Sequence, residues 1–301
     1  MTKILICGGN GLIGRAITDI LLKSGQEVVW LSRKPVKYKT VIVHQWDPYT
    51  GFIEKGALHD VKSIVFLQGA SIAGKRWTAK YQREILSSRI QPVQFLFDQI
   101  SSQGIDIENV VGASAVGFYG ARTDEALHQE EESAYTDFIG KTCKEWESSY
   151  KVFSDMNIPL TVFRLGVVFS PHGGAYPSLS KVFSKGLGAI MGSGDQYMPW
   201  VHVEDAADVF VKAILQRWKG TYNLAAGNVR NKELTHSLLK VFHRRKIFPP
   251  VPEFILRMVL GEAACMLTQG CAVSNSLLLS RSVQFKFTDF DQMLLRLQSG
   301  K

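Results

Sequence analysis

The stretch GGNGLIG, residues 8–14, constrains the fold of this chain more than any other feature. It follows a short apolar run, residues 3–7, and precedes apolar residues that recur with helical spacing from Leu12 to Ser24. A glycine-rich turn from a strand into a helix lets the backbone approach a pyrophosphate, which then faces the positive end of the helix dipole. The order of strand, turn, helix and second strand favours a nucleotide site over a purely structural turn.

Short β-branched runs alternate with longer helical patterns along the first half of the chain, as is typical of a parallel sheet covered by crossover helices. The pattern predicts strands near 3–7, 27–31, 40–45, 63–67, 108–113 and 160–165, and helices near 12–24, 79–102 and 137–155. We therefore predict an α/β fold with a doubly wound, Rossmann-like parallel sheet and a smaller C-terminal substrate lobe.

The composition of the sequence changes after residue 165, where Gly- and Pro-rich stretches separate shorter predicted helices and strands. We predict a nucleotide-binding Rossmann domain over residues 1–165, with its sheet completed by a strand from 220–226, and substrate-lobe segments over 166–248. Residues 249–301 begin with PPVPEF and contain two helical patterns, so we predict a C-terminal subdomain there.

The composition is that of an ordinary folded protein, with 46% hydrophobic and 21% charged residues. No stretch reaches the ~18 uncharged apolar residues of a membrane span, and the N-terminal apolar run breaks at Gly8, too early for a signal peptide. We therefore expect a cytoplasmic protein without membrane contact. The cysteines form neither a CxxC pair nor a disulfide framework, so we expect buried free thiols and no metal. They are Cys7, Cys143, Cys265 and Cys271.

The formal net charge of +8 leaves nucleic acid, an acidic surface and an anionic small ligand open as partners. A basic cluster at 243–246 is expected to be a solvated face. Another basic cluster, 33–39, follows the second strand, where an NAD site usually has an acidic residue for the ribose 2′-hydroxyl. The Arg33 guanidinium can pair with a 2′-phosphate and Ser32 can donate to it, which predicts NADP(H) rather than nucleic acid. The alternative is a basic turn in solvent.

Almost the whole chain carries longer motifs: GGNGLIG, LSRKP, WDP, FLQGA, KRWT, SSRI, GASAVGFYG, EWE, FRLGVVFS, GSGDQYMPWVHVEDAA and YNLAAG. Together they resemble the extended short-chain dehydrogenase/reductases. More specifically, they resemble the family of NAD(P)-dependent, or nucleoside-diphosphate-sugar, epimerases, some members of which carry the label of cell-division inhibitor. The segment from Pro249 resembles that family's own C-terminal domain more loosely.

The resemblance implies a set of cofactor contacts, carried over position by position. They are Gly8, Gly11, Leu12, Ile13 and Gly14 in the pyrophosphate turn, Ser32 and Arg33 at the 2′-phosphate, Trp46 and Asp47 beside the adenine, and Gln68, Gly69, Ala70 and Arg76 along the cofactor near the fourth strand. Family members often have a glutamate where this chain has Ala70, so a carboxylate contact at that position is absent.

The resemblance also implies a Ser or Thr after the fifth strand that orients the substrate, and a YxxxK pair on the following helix that transfers a proton. Ser114 fits the first role. With EWE aligned on the Glu that commonly follows the pair, Ile139 and Cys143 stand where Tyr and Lys belong, and an aliphatic side chain cannot transfer a proton. Tyr119 is the nearest phenol by sequence and the candidate acid/base, with packing beside the strand end as the alternative.

Four further residues carry two interpretations each. His202 is either a general base or, as we favour, a local hydrogen-bonding group at a helix start. Arg164 is expected to face the cleft or to pair with a carboxylate, because an isolated buried charge is costly. Trp77 and Trp200 either line a pocket between the lobes or pack in the core.

The sequence thus predicts an NADP(H)-binding epimerase or reductase that acts on a small-molecule carbonyl or alcohol, such as a nucleotide sugar. The alternative, favoured by the missing YxxxK pair, is an NADP(H)-binding regulator that does not turn over and acts through a protein partner. A homodimer formed through the helices that flank the fifth strand is a further expectation.

Overall fold

The computed structural model describes residues 3–73, 75–244 and 248–299. The strands are β1 (Lys3–Cys7), β2 (Glu27–Ser32), β3 (Ile42–Asp47), β4 (Phe52–Ile53), β5 (Val61–Phe66), β6 (Asn109–Ala115), β7 (Leu127–His128), β8 (Leu160–Leu165), β9 (Val167–Ser170), β10 (Gly173–Gly174), β11 (Tyr197–His202), β12 (Gly220–Leu224), β13 (Gly227–Arg230) and β14 (Ala272–Val273). The helices are α1 (Leu12–Lys23), α2 (Ala79–Gln103), α3 (Phe138–Ser149), α4 (Lys151–Asp155), α5 (Tyr176–Phe183), α6 (Val203–Leu215), α7 (Asn231–Val241), α8 (Glu253–Leu260), α9 (Cys265–Thr268), α10 (Ser276–Leu279) and α11 (Phe290–Ser299).

The central sheet has the strand order β12-β8-β6-β5-β1-β2-β3-β4. Adjacent strands of this sheet are parallel, except that β4 runs antiparallel to β3. The order reverses between β1 and β5, and ligands of open α/β sheets bind in the crevice outside the carboxyl ends of the strands at such a switch point. This architecture confirms the predicted α/β, doubly wound, Rossmann-like fold, and each predicted strand lies within two residues of an observed one.

Helices cover both faces of this sheet. The apolar side of α1 buries Ile17 and Leu21 and packs against α6. On the other face α2 packs against α3, because the crossover from β5 to β6 moves in the opposite direction across the sheet. The helix predicted over 137–155 is divided into α3 and α4 at Tyr150, whose buried phenol donates to the carbonyl oxygen of Ala113 at 3.0 Å.

A second sheet, in the order β10-β9-β11-β13, lies in the part of the chain predicted to form the substrate lobe, and β14 pairs with β7. The hydrophobic core beside the second sheet includes Trp200 and Leu238. Met293 and Leu294 from α11 also belong to it, so the C-terminal segment supplies part of this core. The Asp205 carboxylate of α6 accepts the backbone N–H groups of residues 286 and 287 at 2.8 and 3.1 Å. Where the sequence predicts two helices after residue 249, the described part of that segment has the short helices α8 to α11.

Other expectations concern membranes, thiols and metals. Within the described ranges, no helix combines the length and apolar character needed to cross a bilayer. The four cysteines are free thiols, of which Cys265 is half-buried and the others are buried. No cluster of potential metal ligands occurs among the residues that the structure describes. His243 and Arg244 of the second basic cluster are exposed, whereas Arg245 and Lys246 lie outside the described residues.

Candidate cofactor-binding site

The glycine turn between β1 and α1 is packed too closely to admit side chains. Gly8 has a φ of 88°, and a Cβ built on it would lie 2.9 Å from the backbone nitrogen of Gln68. A Cβ on Gly14 would lie 2.6 Å from the carbonyl oxygens of both Gly8 and Gly9. A hydrogen bond of 3.0 Å from the Gly11 N–H to the Gly8 carbonyl closes the turn. The turn therefore has the tight backbone that a pyrophosphate site requires.

Gly9 serves a packing role that the sequence did not reveal. A Cβ on Gly9 would lie 2.3 Å from Cδ1 of Trp30, the buried indole at the centre of β2. That indole donates to the Thr18 hydroxyl at 2.9 Å, and the Thr18 hydroxyl donates to the Gly14 carbonyl at 2.7 Å. The turn, α1 and β2 are thus held in one arrangement.

The start of α1 is open to an anion. Gly11 is the N-cap residue, no side chain caps the helix, and the first turn contains no acidic residue. Arg15 extends back to Asn10, with 2.5 Å between Nη2 and Oδ1. Uncapped first-turn N–H groups and the helix dipole together favour a bound phosphate.

The end of β2 presents a cation without an ion-pair partner. Arg33 is exposed, and none of the ion pairs among the described residues involves it. Its Cζ atom lies 5.8 Å from the centre of the Tyr49 ring. Ser32 donates to the Lys34 carbonyl at 2.8 Å and accepts from the Lys34 N–H at 3.3 Å, which shapes the turn. The guanidinium is therefore free to pair with a phosphate.

The predicted adenine contacts at Trp46 and Asp47 differ in accessibility. Trp46 is 5% exposed and its ring packs against Phe95 with 6.3 Å between centroids, so it has little surface left for an adenine. The Asp47 carboxylate accepts the Tyr49 N–H at 3.0 Å. Tyr49, a residue that sequence reasoning missed, is 47% exposed beside Arg33. The sequence contains no signal for Tyr49, because a spacing of three residues from Trp46 fits no hydrophobic pattern of this strand and turn.

The end of β5 holds an amide without hydrogen-bond partners. Both Nε2 and Oε1 of Gln68 are buried and have none within the described residues. A buried unsatisfied polar group is costly and calls for an explanation such as a ligand. The N–H of Ala70 donates to the Ser88 hydroxyl at 2.8 Å. Arg76 is exposed and lies against Gly261 of the C-terminal segment, where a Cβ would be 3.2 Å from its Nε.

Ser114 at the end of β6 belongs to a buried polar network. It is 1% exposed and donates to Oε1 of Glu147 at 2.7 Å. Glu147 also pairs with Arg164 of β8 through two bonds of 2.9 Å. Burial alone would lower the pKa of Arg164, but the Glu147 carboxylate raises it above its usual value. Arg164 thus pairs with a carboxylate, one of the two expected outcomes.

Comparison with known proteins decides the family. A family model described as the NAD dependent epimerase/dehydratase family matches residues 4–225. The chain belongs to this family. Epimerase family protein Mb2239 of Mycobacterium bovis is 33% identical over 263 residues, which is 87% of this chain and 85% of that protein.

Solved structures of epimerases have a similar fold. The crystal structure of human epimerase family protein SDR39U1 with NADPH is 28% identical, with a TM-score of 0.88 and coverage of 100% of both chains. A Thermus thermophilus UDP-glucose 4-epimerase in complex with NAD is 18% identical, covers 99% of each chain and has a TM-score of 0.75, so the likeness there is one of fold.

In this epimerase-family chain Tyr119 is packed rather than accessible. The residue is fully buried, and its hydroxyl donates to Oδ1 of Asn223 at 2.8 Å and accepts from Arg164 at 2.9 Å. Its ring stacks on His128 with 5.4 Å between centroids. Burial raises the pKa of Tyr119 to about 12, so the phenol stays protonated at neutral pH. These contacts favour the packing alternative over the acid/base role.

The positions of the family's YxxxK pair are apolar here. Ile139 and Cys143 lie buried on α3, and a Cβ on Gly117 would be 2.4 Å from Cγ2 of Ile139. Burial raises the pKa of the Cys143 thiol to about 12. They share a cluster with Trp77, whose ring lies 5.2 Å from that of Phe138, so Trp77 packs in the core. These two positions therefore supply neither a phenol nor an ammonium group.

His202 and Trp200 on β11 also have packing roles. His202 is the N-cap of α6, its Nδ1 accepts the Glu204 N–H at 3.3 Å, and burial lowers its pKa. This is the local hydrogen bond at a helix start that the sequence analysis favours. Trp200 is buried with its ring 5.1 Å from that of Phe290, as the core interpretation predicts.

Proposed function

We propose that this protein binds NADP(H) and catalyses hydride transfer at a carbonyl or alcohol carbon of a small molecule, such as a nucleotide sugar. The observation that carries the cofactor choice is the Arg33 guanidinium, which has no ion-pair partner among the described residues and follows β2, the strand paired with the one that leads into the uncapped start of α1. Guanidinium groups recognise phosphates by paired hydrogen bonds. The NADPH in the human SDR39U1 structure supports the same choice.

The residues of the chain have separate tasks in this proposal. The glycine turn and the first-turn amides of α1 hold the pyrophosphate, and Arg33 holds the 2′-phosphate. Ser32 shapes the turn that presents Arg33, because its hydroxyl is already bonded to the backbone of Lys34. The nicotinamide supplies or accepts the hydride when it is bound. Ser114 orients the reacting oxygen of an alcohol: its own hydrogen is committed to Glu147 at 2.7 Å, so its oxygen is left to accept from the substrate hydroxyl.

A second candidate is a regulator that binds NADP(H) without turnover and acts on a protein partner. It is favoured by the buried, apolar Ile139 and Cys143 and by the buried phenol of Tyr119. The two candidates differ in one observable. An enzyme oxidises NADPH in the presence of a suitable carbonyl compound, whereas a regulator binds NADPH with no oxidation across a panel of nucleotide sugars and small carbonyls.

The experiment that tests the cofactor is a calorimetric titration of the wild type and of Arg33→Ala with NADPH and NADH. We expect the wild type to prefer NADPH. The variant should bind NADPH more weakly by about 1.5–3 kcal/mol, the usual contribution of hydrogen bonds to charged groups, and should bind NADH as before.

Lys55→Ala is the matched control, since Lys55 is an exposed cation in the loop after β4. It should bind both cofactors like the wild type. Equal losses of NADPH and NADH in Arg33→Ala would contradict the 2′-phosphate assignment. A wild type that binds neither cofactor would contradict the proposed function as a whole.

A further inference from the structure

Helix α8 carries apolar side chains on its outward as well as its inward side. Leu260 is partly buried and packs against the cluster that contains Trp77. The other side of the helix has four large apolar side chains that are 37–68% exposed, and their i, i+4 spacing places them on one face. These residues form the α8 face: Phe254, Ile255, Met258 and Val259. A helix that is apolar all round is normally covered on every side.

The α8 face is small for a protein–protein interface. A fully exposed large side chain presents on the order of 200 Å², so the four side chains leave roughly 400–500 Å² uncovered. Exposed apolar patches of this size are often functional. A standard interface takes ~800 Å² from each partner, whereas the binding of a helix to a bilayer grows with its apolar area and with its attraction to anionic lipids.

A basic stretch lies beside the C-terminal end of α8. Residues 75–83, KRWTAKYQR, contain four cations and no acidic residue. A Cβ on Gly261 would lie 3.2 Å from Nε of Arg76, and the Gln82 amide donates to Glu262 at 2.8 Å. The cations are all exposed, and none takes part in an ion pair within the described ranges; they are Lys75, Arg76, Lys80 and Arg83.

The acidic groups at α8 leave this positive charge largely uncompensated. Glu253 pairs with Arg257 on the same helix at 2.7 Å, so these two side chains add no net charge. Glu262 contributes one carboxylate beside the four cations of the basic stretch. The whole chain has the same sign, with a formal net charge of +8. A second copy of the chain would therefore be repelled at this place, whereas anionic lipid headgroups would be attracted.

We propose that the α8 face and the basic stretch form a peripheral binding site for an anionic lipid bilayer. The apolar side chains of α8 enter the boundary between headgroups and acyl chains, and the cations of residues 75–83 contact the headgroup phosphates. The expectation of no membrane contact concerned segments that cross a bilayer, and a helix that lies on its surface needs no such length. This inference does not depend on NADP(H) binding.

The test is sedimentation of the full chain with lipid vesicles, made either of equal parts of phosphatidylglycerol and phosphatidylcholine or of phosphatidylcholine alone. We expect the wild type to bind the anionic vesicles, to bind the neutral ones more weakly and to be released by added salt. A variant with both Phe254→Ser and Met258→Ser should bind the anionic vesicles at least tenfold more weakly. A variant with both Lys75→Gln and Lys80→Gln should lose about tenfold on the anionic vesicles and nothing on the neutral ones.

The controls change the same kinds of side chain elsewhere. Leu295→Ser alters a residue of α11 that is 56% exposed, and Lys23→Gln with Lys55→Gln removes two exposed lysines. Both controls should bind vesicles like the wild type. Thermal melts without vesicles show whether each variant is folded, and if the double serine variant is not, Val259→Ser takes its place.

Three results would overturn the proposal. One is a wild type that binds neither kind of vesicle, and another is unchanged vesicle binding in the folded serine variant. The third is a wild-type dimer in analytical ultracentrifugation that the serine variant abolishes, because a second copy would then cover the α8 face. Each of these results leaves NADPH binding as it is, so this inference and the proposed function fail separately.

Discussion

Glu147 is the residue on which the buried polar network depends. Its carboxylate is 14% exposed and accepts hydrogen bonds from both Ser114 and Arg164, and the Arg164 side chain is 4% exposed. Removing one partner of a buried ion pair leaves the other charge without compensation, which costs more than the pair contributes. The carboxylate therefore matters for stability as well as for the orientation of Ser114.

We expect Glu147→Gln to lower the free energy of unfolding by about 3–5 kcal/mol, because Arg164 would remain charged and buried without a counter-charge. Urea unfolding monitored by tryptophan fluorescence measures the change. Glu145→Gln is the control, since Glu145 is exposed on the same helix and should change stability by less than about 0.5 kcal/mol. A loss of equal size in both variants would show that the effect does not come from the Arg164 pair.

For single residues, the sequence predicts contacts between positions that lie close together in the chain. The glycines of residues 8–14 and the Arg33 turn lie beside recognisable strands, so their placement follows from chain order. Tyr119 and Asn223 are 104 positions apart, and no spacing predicts their hydrogen bond. Trp46 was assigned to the adenine on resemblance alone, and its packing against Phe95 depends on how α2 crosses the sheet.

The start of α6 shows how a helix end can carry a pH dependence. His202 caps this helix, and its ring lies 4.1 Å from that of Phe287. Burial lowers the pKa of His202 below its ordinary value of 6.5, with the charges of Arg296 and Lys286 reinforcing the shift and Glu204 opposing it. The folded chain therefore keeps this imidazole neutral under conditions in which the unfolded chain protonates it.

We expect this histidine to weaken the fold as the pH falls below about 6.5, because the unfolded state then binds more protons than the folded state. His202→Asn keeps a capping acceptor and cannot titrate in this range. The difference in unfolding free energy between the two proteins should shift in favour of the variant between about pH 7.5 and pH 5.5. Urea unfolding at several pH values measures it, and a pH-independent difference would contradict the assignment.

Helices and strands were predictable where their hydrophobic pattern extended over many residues. The prediction failed where contacts with distant parts of the chain set the ends of an element. The helix α1 and the strands β1, β2 and β8 stand within two residues of their predicted positions. Tyr150 divides one predicted helix into two because its phenol reaches β6, a contact that helical periodicity does not encode. The helices α8 to α10 have four to eight residues, too short for a periodic signal.

For the whole molecule, the segment after Pro249 is part of the cores and not an appendage. Leu278 and Val283 lie in the main hydrophobic cluster, and Met293 and Leu294 lie in the cluster beside the second sheet. Asn228 exchanges two hydrogen bonds with the backbone of Val273, at 3.0 and 2.9 Å. The segment therefore fixes both sheets.

We expect a chain without residues 249–301 to lose cooperative unfolding, because its removal opens both clusters and leaves the Asp205 carboxylate buried without two N–H donors. Near-ultraviolet circular dichroism during thermal unfolding tests this. Phe254→Ser is the control, since this residue is 64% exposed on α8, and the variant should melt like the wild type. A truncated chain with a sharp transition would show that the segment is an independent subdomain.

The predicted homodimer through α2 and α3 stays a prediction. Among the described residues, the large exposed hydrophobic side chains include none from these two helices, whereas α8 carries four. They are Phe254, Ile255, Met258 and Val259. Sedimentation analysis of the purified chain measures the oligomeric state directly.

The packing of α1 against α6 has a consequence for synthesis on the ribosome. Lys23, the last residue of α1, and Val203, the first of α6, are 180 positions apart. At roughly 5–20 residues per second, α6 is made about 10–35 s after α1. During that interval Ile17 and Leu21 have no partner helix, so the nascent chain is most exposed to aggregation before Val203 emerges.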